Sequence, residues 1–127
     1  MRLPGRARAR ARGDEPRRRG AHAPAIAAHA LHVDGREVSV ECTPSTSLLT
    51  VLRDHMGDTR VKASCGSGEC GTCTVLVGDV PVLACVTFVG FVEAPVRTAA
   101  GLADETRALR AAMADHGAFQ CGFCTPG

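Results

Sequence analysis

Large aromatic residues are almost absent from this chain. It has no Trp and no Tyr, and only four Phe in 127 residues. The core must therefore be small and built from Val, Leu and Ala with a little Ile. No apolar run approaches the roughly 18 residues that a membrane-crossing helix requires, which excludes a spanning segment. Lysine is nearly missing too: fourteen Arg stand against the single Lys62, a bias that looks compositional. What remains is ordinary for a soluble globular chain, with 45% hydrophobic and 22% charged residues. The length suits one domain, or one domain and a piece of another. Cysteine is the exception. Seven in this length is high, and an odd number leaves a thiol over in any all-disulfide scaffold.

The net charge of +2 hides an asymmetry. Residues 1–20 carry eight Arg against Asp14 and Glu15, a charge of +6. Residues 21–127 carry six Arg and Lys62 against eleven acids, a charge of −4. A basic tail thus precedes a mildly acidic body. The tail, residues 1–26, alternates Arg with Ala from Arg6 to Arg12, has no apolar periodicity, and is expected to be disordered. It has no aromatic residues interleaved for base stacking, so a nucleic-acid partner is not expected. Ala21 to Leu31 is broken by His22, Pro24 and His29, which argues against an export signal.

The body reads as a succession of short elements. Leu31 and Val33 precede Asp34-Gly35, and Val38 and Val40 follow, which predicts a hairpin. Thr43 to Ser47 breaks the second strand and offers a cap for a helix carrying Leu48, Leu49, Val51, Leu52 and Met56, ended by Gly57. Val61 to Gly71 is too punctuated for an element. Thr74 to Val77 and Val80 to Leu83 form a second hairpin around Gly78-Asp79. Val86 to Val92 is a further apolar run, and Val96-Arg97-Thr98 a short strand. A last helix is expected to open at Gly101 and Asp104, to carry Leu109 and Met113 on one face, and to end at Gly117. This order predicts an α+β fold in which a helix lies across a mixed sheet, the β-grasp arrangement, over residues 27–103. Residues 104–127 would begin a second, all-α unit.

Cys65, Cys70 and Cys73 stand in the spacing C-x4-C-x2-C, and Cys85 follows. The three-cysteine spacing is that of plant-type [2Fe–2S] ligands. Such a cluster needs four thiolates converging on a small volume, inside a loop with tight turns and close backbone approach. Gly66, Gly68 and Gly71 permit both, and amides turned inward would tune the cluster's potential. A structural zinc site, a disulfide cluster and a redox C-x-x-C from Cys70 and Cys73 are the rival readings. Zinc sites pair C-x2-C with a second short pair, and the only one is Cys121 and Cys124, far along the chain. A C-x-x-C leaves Cys65 and Cys85 unexplained. Cys42 falls outside the pattern, on the second predicted strand, and is expected to be a buried free thiol.

With these motifs in place, the sequence resembles the small iron–sulfur subunits of the molybdenum hydroxylases, the group of xanthine dehydrogenase, aldehyde oxidoreductase and aerobic carbon monoxide dehydrogenase. The resemblance is carried by Leu48 to Asp54, Val61-Lys62, Cys65 to Val77, Ala84-Cys85, Gly101-Leu102 and Gly117 to Gly127, and covers roughly residues 28–127. It implies a ferredoxin-like domain whose [2Fe–2S] cluster is held by Cys65, Cys70, Cys73 and Cys85. Cys121 and Cys124 would be two ligands of a second [2Fe–2S] cluster in a helical domain. Gln120 would contact the molybdopterin cofactor of a partner. The implied partners are a molybdopterin-binding large subunit and an FAD-binding medium subunit, the location cytoplasmic, and the role electron transfer, with no substrate turned over by this chain alone. Nothing after Gly127 supplies the family's later C-x-C pair. The resemblance therefore implies a chain truncated at its C-terminus, with one complete site, an incomplete second, and loose packing after Gly101. A stand-alone [2Fe–2S] ferredoxin and a non-redox remnant are the alternative readings.

Overall fold

A computed structural model describes residues 25–127. The expectation for the Arg-rich tail lies almost wholly outside the described residues. Two seven-residue strands come first, β1 (Ala27–Val33) and β2 (Arg36–Cys42), paired antiparallel from Ala27↔Cys42 to Val33↔Arg36. Asp34 and Gly35 between them both have positive φ, 49° and 77°, the signature of the tight turn whose twist matches paired strands. Alternation along the pair buries Leu31, Val33, Val40 and Cys42 on one face.

Ser47 caps the helix that follows, its Oγ accepting the Thr50 N–H at 3.1 Å. The helix is α1 (Leu48–Thr50), and it widens at once into a π-helical turn (Val51–His55), with the Met56 N–H donating to the Val51 carbonyl. The predicted helix is thus found, but in two geometries. The wider turn still buries Leu48, Leu49, Val51 and Leu52 against the sheet.

Strands β3 (Thr74–Val77) and β4 (Val80–Leu83) form the second hairpin, and β5 (Val96–Arg97) completes a five-stranded sheet of order β2-β1-β5-β3-β4. The β1–β5 pairing is parallel and the others antiparallel, so the sheet is mixed. The apolar run after Cys85 makes a single 3-10 turn (Val89–Phe91) with Val89 buried. The core is one cluster joining the first hairpin, the helix, Val61, Cys73, Val75, Ala84, Val89 and Val96.

The last helix, α2 (Arg107–Asp115), starts later than the sequence suggested. Residues 98–106 instead mix turns of two spans, such as Thr98 to Leu102 and Ala100 to Ala103. Asp34 is the physical reason: its carboxylate accepts the Thr98 N–H at 2.8 Å and the Thr98 hydroxyl at 2.7 Å. It also lies where a Cβ on residue 101 would sit, so only Gly101 fits. This tether holds the chain out of regular helix until it is past Gly101. Helix α2 buries none of its residues, and Leu109 is 62% exposed. Among the described residues no helix is long and apolar enough to cross a membrane.

Candidate metal centre

The loop from Val61 to Cys73 contains no strand or helix, and its shape comes from hydrogen bonds to its ends. Arg53, on the π turn, donates through one guanidinium nitrogen to the carbonyls of Val61 at 2.7 Å and Thr59 at 3.3 Å. This pins the loop's entrance to the helix. At its exit the Thr74 N–H and hydroxyl both donate to the Gly71 carbonyl. Gly66, Gly68 and Gly71 all adopt positive φ, near 70–80°. The case is clearest at Gly68, where a Cβ would also lie 3.2 Å from a methyl of Val86, the neighbour of Cys85.

Cys73 and Cys85 sit on firmer ground. Cys73 immediately precedes β3, and Cys85 stands two residues past β4. The Ala84 N–H donates to the Cys73 carbonyl at 3.3 Å, carrying the hairpin pairing to the cysteines. The first amides of α1 hold the far side: Leu48 N–H donates to Thr87 and Leu49 N–H to Ala84. Cys73 is buried and Cys85 half-buried, whereas Cys65 and Cys70 are exposed.

The hairpin brings Cys85 back beside Cys73, and the ionisation of each thiol is felt by its neighbours: Cys65 acts on Cys70, and both Cys73 and Cys65 act on Cys85. The loop's backbone amides point at sulfur. Those of Cys70, Ser67 and Glu69 bring the Cys65 thiol down to about 5, and the Ser67 N–H lies 3.5 Å from its Sγ. The buried Thr72 hydroxyl, helped by loop amides, lowers Cys70. Burial, then the neighbouring Cys73, pushes Cys85 up, opposed by the Gly68 amide. Donors aimed at sulfur favour thiolate, the form that binds metal. Among the described residues no three His, Cys, Asp or Glu side chains are grouped for a single metal ion. Four cysteines in the C-x4-C-x2-C spacing with Cys85 returned beside Cys73, under amides that favour thiolate, are a donor set that fits a [2Fe–2S] cluster. A zinc site would draw all four sulfurs around one centre.

The remaining cysteines lie apart. Cys42 is buried at the end of β2 and all seven cysteines are unbridged. Cys121 and Cys124 are exposed on a turn closed by Thr125 N–H to Gly122 and Gly127 N–H to Cys124. Gln120 beside them is exposed. Sequence reasoning gave no site role to Asp34, read only as a turn residue, or to Arg53. Nothing marks the long reach of Asp34 to Thr98 or of Arg53 to Val61 in advance. Thr72, small and between two ligand candidates, is legible in the sequence as a donor to the site, and its hydroxyl acts on Cys70.

Residues 31–90 match the family described as the 2Fe-2S iron-sulfur cluster binding domain, and residues 98–127 match the [2Fe-2S] binding domain. The nicotinate dehydrogenase small FeS subunit of Eubacterium barkeri is 38% identical over 100 residues, covering 76% of this chain and 64% of that protein. The aldehyde oxidoreductase iron-sulfur-binding subunit PaoA of Escherichia coli is 37% identical over 108 residues, covering 83% of this chain and 47% of that subunit. Among solved structures, quinoline 2-oxidoreductase from Pseudomonas putida 86 superposes with a TM-score of 0.72 at 31% identity, over 80% of this chain and 65% of the other. Aldehyde oxidoreductase from Desulfovibrio gigas gives 0.73 at 34% identity, over 80% of this chain and 12% of the other. The chain therefore spans between about half and two thirds of the length of its curated subunit relatives. It belongs to the family of the small iron–sulfur subunits of molybdenum hydroxylases, and the β-grasp expectation for its first domain is borne out.

Proposed function

We propose that this member of the family is the electron-transfer iron–sulfur subunit of a molybdenum hydroxylase. It would pass single electrons from a molybdopterin-binding large subunit towards an FAD-binding subunit, in the cytoplasm. No substrate is turned over by this chain alone. The observation that carries the reading is a glycine-turned loop whose Ser67 amide faces the Cys65 sulfur, closed by a hairpin that returns Cys85 beside Cys73.

In this reading Cys65, Cys70, Cys73 and Cys85 would hold one [2Fe–2S] cluster, the first two from the exposed side and the last two from the more buried side. When bound, such a cluster supplies a carrier that takes up and returns one electron. The chain's residues do the rest. The amides of Ser67, Glu69 and Cys70 and the Thr72 hydroxyl offset negative charge on sulfur, which favours the reduced state. The β3–β4 hairpin and the helix amides keep Cys73 and Cys85 from moving when that charge changes. The open side at Cys65 and Cys70 gives a partner's redox centre close approach. Cys121 and Cys124 would give two of the four ligands of a second [2Fe–2S] cluster, and exposed Gln120 would meet the molybdopterin of the large subunit. The likeness to small FeS subunits supports these last two assignments.

Iron and acid-labile sulfide per chain, with a visible spectrum, test the reading on anaerobically reconstituted protein. The expected result is two irons and two sulfides with charge-transfer bands. Cys70→Ser is expected to lose that spectrum. Zinc in place of iron, or an unchanged spectrum in Cys70→Ser, would sink the ligand assignment.

A further inference from the structure

Lys62, the only lysine of the chain, stands three residues before Cys65. Its Nζ donates to the Thr59 carbonyl at 3.0 Å and lies 5.8 Å from the centre of the Phe123 ring. Phe123 sits between Cys121 and Cys124 in the second cysteine motif, and 47% of its surface is open. The hydrophobic core therefore does not house the ring. A second approach lies close by. Gly127, at the far end of the same turn, packs so closely on the first loop that a Cβ there would fall 2.4 Å from the Gly71 carbonyl oxygen and 2.7 Å from the Thr72 backbone. The two cysteine motifs thus approach each other at two points, and at one of them the Lys62 ammonium faces the Phe123 ring.

We propose that Lys62 is a positioning residue shared by both motifs. Its ammonium, gripped by the Thr59 carbonyl, fastens the face of Phe123 and with it the Cys121–Cys124 turn, and places one positive charge on the loop that leads into Cys65. The face of an aromatic ring is negative and attracts an ammonium within about 6 Å. The Thr59 carbonyl fixes the cation on the loop side, and Arg53 holds that same carbonyl segment to the helix. A net positive charge near a thiolate-bound cluster favours the form with the extra electron. Loss of the charge therefore lowers the midpoint potential and frees the second turn. The electrostatic half rests on the reading of Cys65, Cys70, Cys73 and Cys85 as cluster ligands; the contact with Phe123 does not.

A single lysine gives a single labelled signal, which makes the contact directly readable. In the full chain with 13C-lysine, the ε-methylene resonance of Lys62 is expected upfield of free lysine because of the ring above it. Phe123→Leu is expected to return it to the free-lysine position. A signal already at that position, or unmoved by Phe123→Leu, overturns the contact, and this is read whether or not iron is bound. Redox titration of the reconstituted chain reads the charge. Lys62→Met is expected to lower the midpoint potential, and Lys62→Arg, which keeps the cation, to restore it. An unchanged potential in Lys62→Met, or an equal fall in both variants, overturns the electrostatic role. A purely structural lysine would not give a charge-dependent potential. Absence of iron–sulfur bands in the parent chain refutes the ligand reading instead and leaves the lysine signal to decide the contact.

Discussion

Asp34→Ala tests whether one half-buried carboxylate holds the junction between the two matched domains. Asp34 occupies the β1–β2 turn at φ 49°, and its two oxygens accept the amide and hydroxyl of Thr98, which is fully buried. Residue 98 is also where the second matched domain begins. Alanine removes both hydrogen bonds; each bond to a charged acceptor is worth about 1.5–3 kcal/mol when buried, and solvent screening at this half-buried carboxylate brings the pair together to about 2 kcal/mol. Alanine in the left-handed region adds about 1 kcal/mol of backbone strain. The expected loss is roughly 3 kcal/mol, which is about a hundredfold in an opening equilibrium. Amide exchange on the oxidised, cluster-loaded chain reads it locally. The Thr98 and Ala100 amides, bonded to Asp34 and to the Thr98 hydroxyl, are expected to exchange about a hundredfold faster. Asp34→Asn tolerates the same φ and keeps one acceptor, so its effect is expected to be about tenfold. An alanine variant within threefold of the parent would refute the tether. Equal damage from asparagine and alanine would refute the strain component.

Two further outcomes follow from the loop. Arg53→Met removes both carbonyl bonds that pin the loop's entrance, and one of them, at 2.7 Å, is to the buried Val61. Loss of iron to a chelator is expected to quicken about tenfold, corresponding to about 1–2 kcal/mol for the lost bonds, with the visible spectrum before chelation unchanged. In the iron-free chain the Cys65 thiol, brought down to about 5, loses its proton as pH rises through that value. Its alkylation rate is therefore expected to climb between about pH 4 and 6 and then level off, where an ordinary thiol climbs near 8.5; mass spectrometry of labelled peptides checks it, with Cys85, pushed up, modified later.

The hairpins and the ligand loop were legible because their signals are local. Asp34-Gly35 between alternating apolar residues, Ser47 before an apolar arc, and glycines interleaved with cysteines each state a backbone need within a few residues. The return of Cys85 to the side of Cys73 was not written in the spacing, because it depends on where β4 ends. The start of α2 was misplaced for a similar reason. Gly101 and Asp104 look like a helix opening, yet residue 101 is claimed by Asp34, far away in sequence. The π turn was equally silent. Its apolar residues lie on an arc that an α-helix would also bury, so periodicity does not separate the two geometries.

The unequal support of the two thiol pairs implies an order of assembly. Cys73 and Cys85 are held by the hairpin, by the Ala84 to Cys73 bond, and by the helix amides, none of which needs metal. Cys65 and Cys70 stand on a loop without regular structure, where three residues have positive φ and both thiols face solvent. Ordering such a loop costs on the order of 1–2 kcal/mol per residue, and the thiolate–iron bonds are the interactions able to offset it. Metal binding is then the folding of the outer half of the site onto a preformed inner half. In the iron-free chain the Ala84 and Leu49 amides are expected to stay protected while those of Ser67, Glu69 and Cys70, held only through their bonds to the Cys65 sulfur, exchange faster. Reconstitution is expected to slow the second group and leave the first unchanged. Protection of the outer loop without iron would show that the cage is rigid before it is filled. Loss of protection at Ala84 in the iron-free chain would show that the inner half, too, depends on the metal.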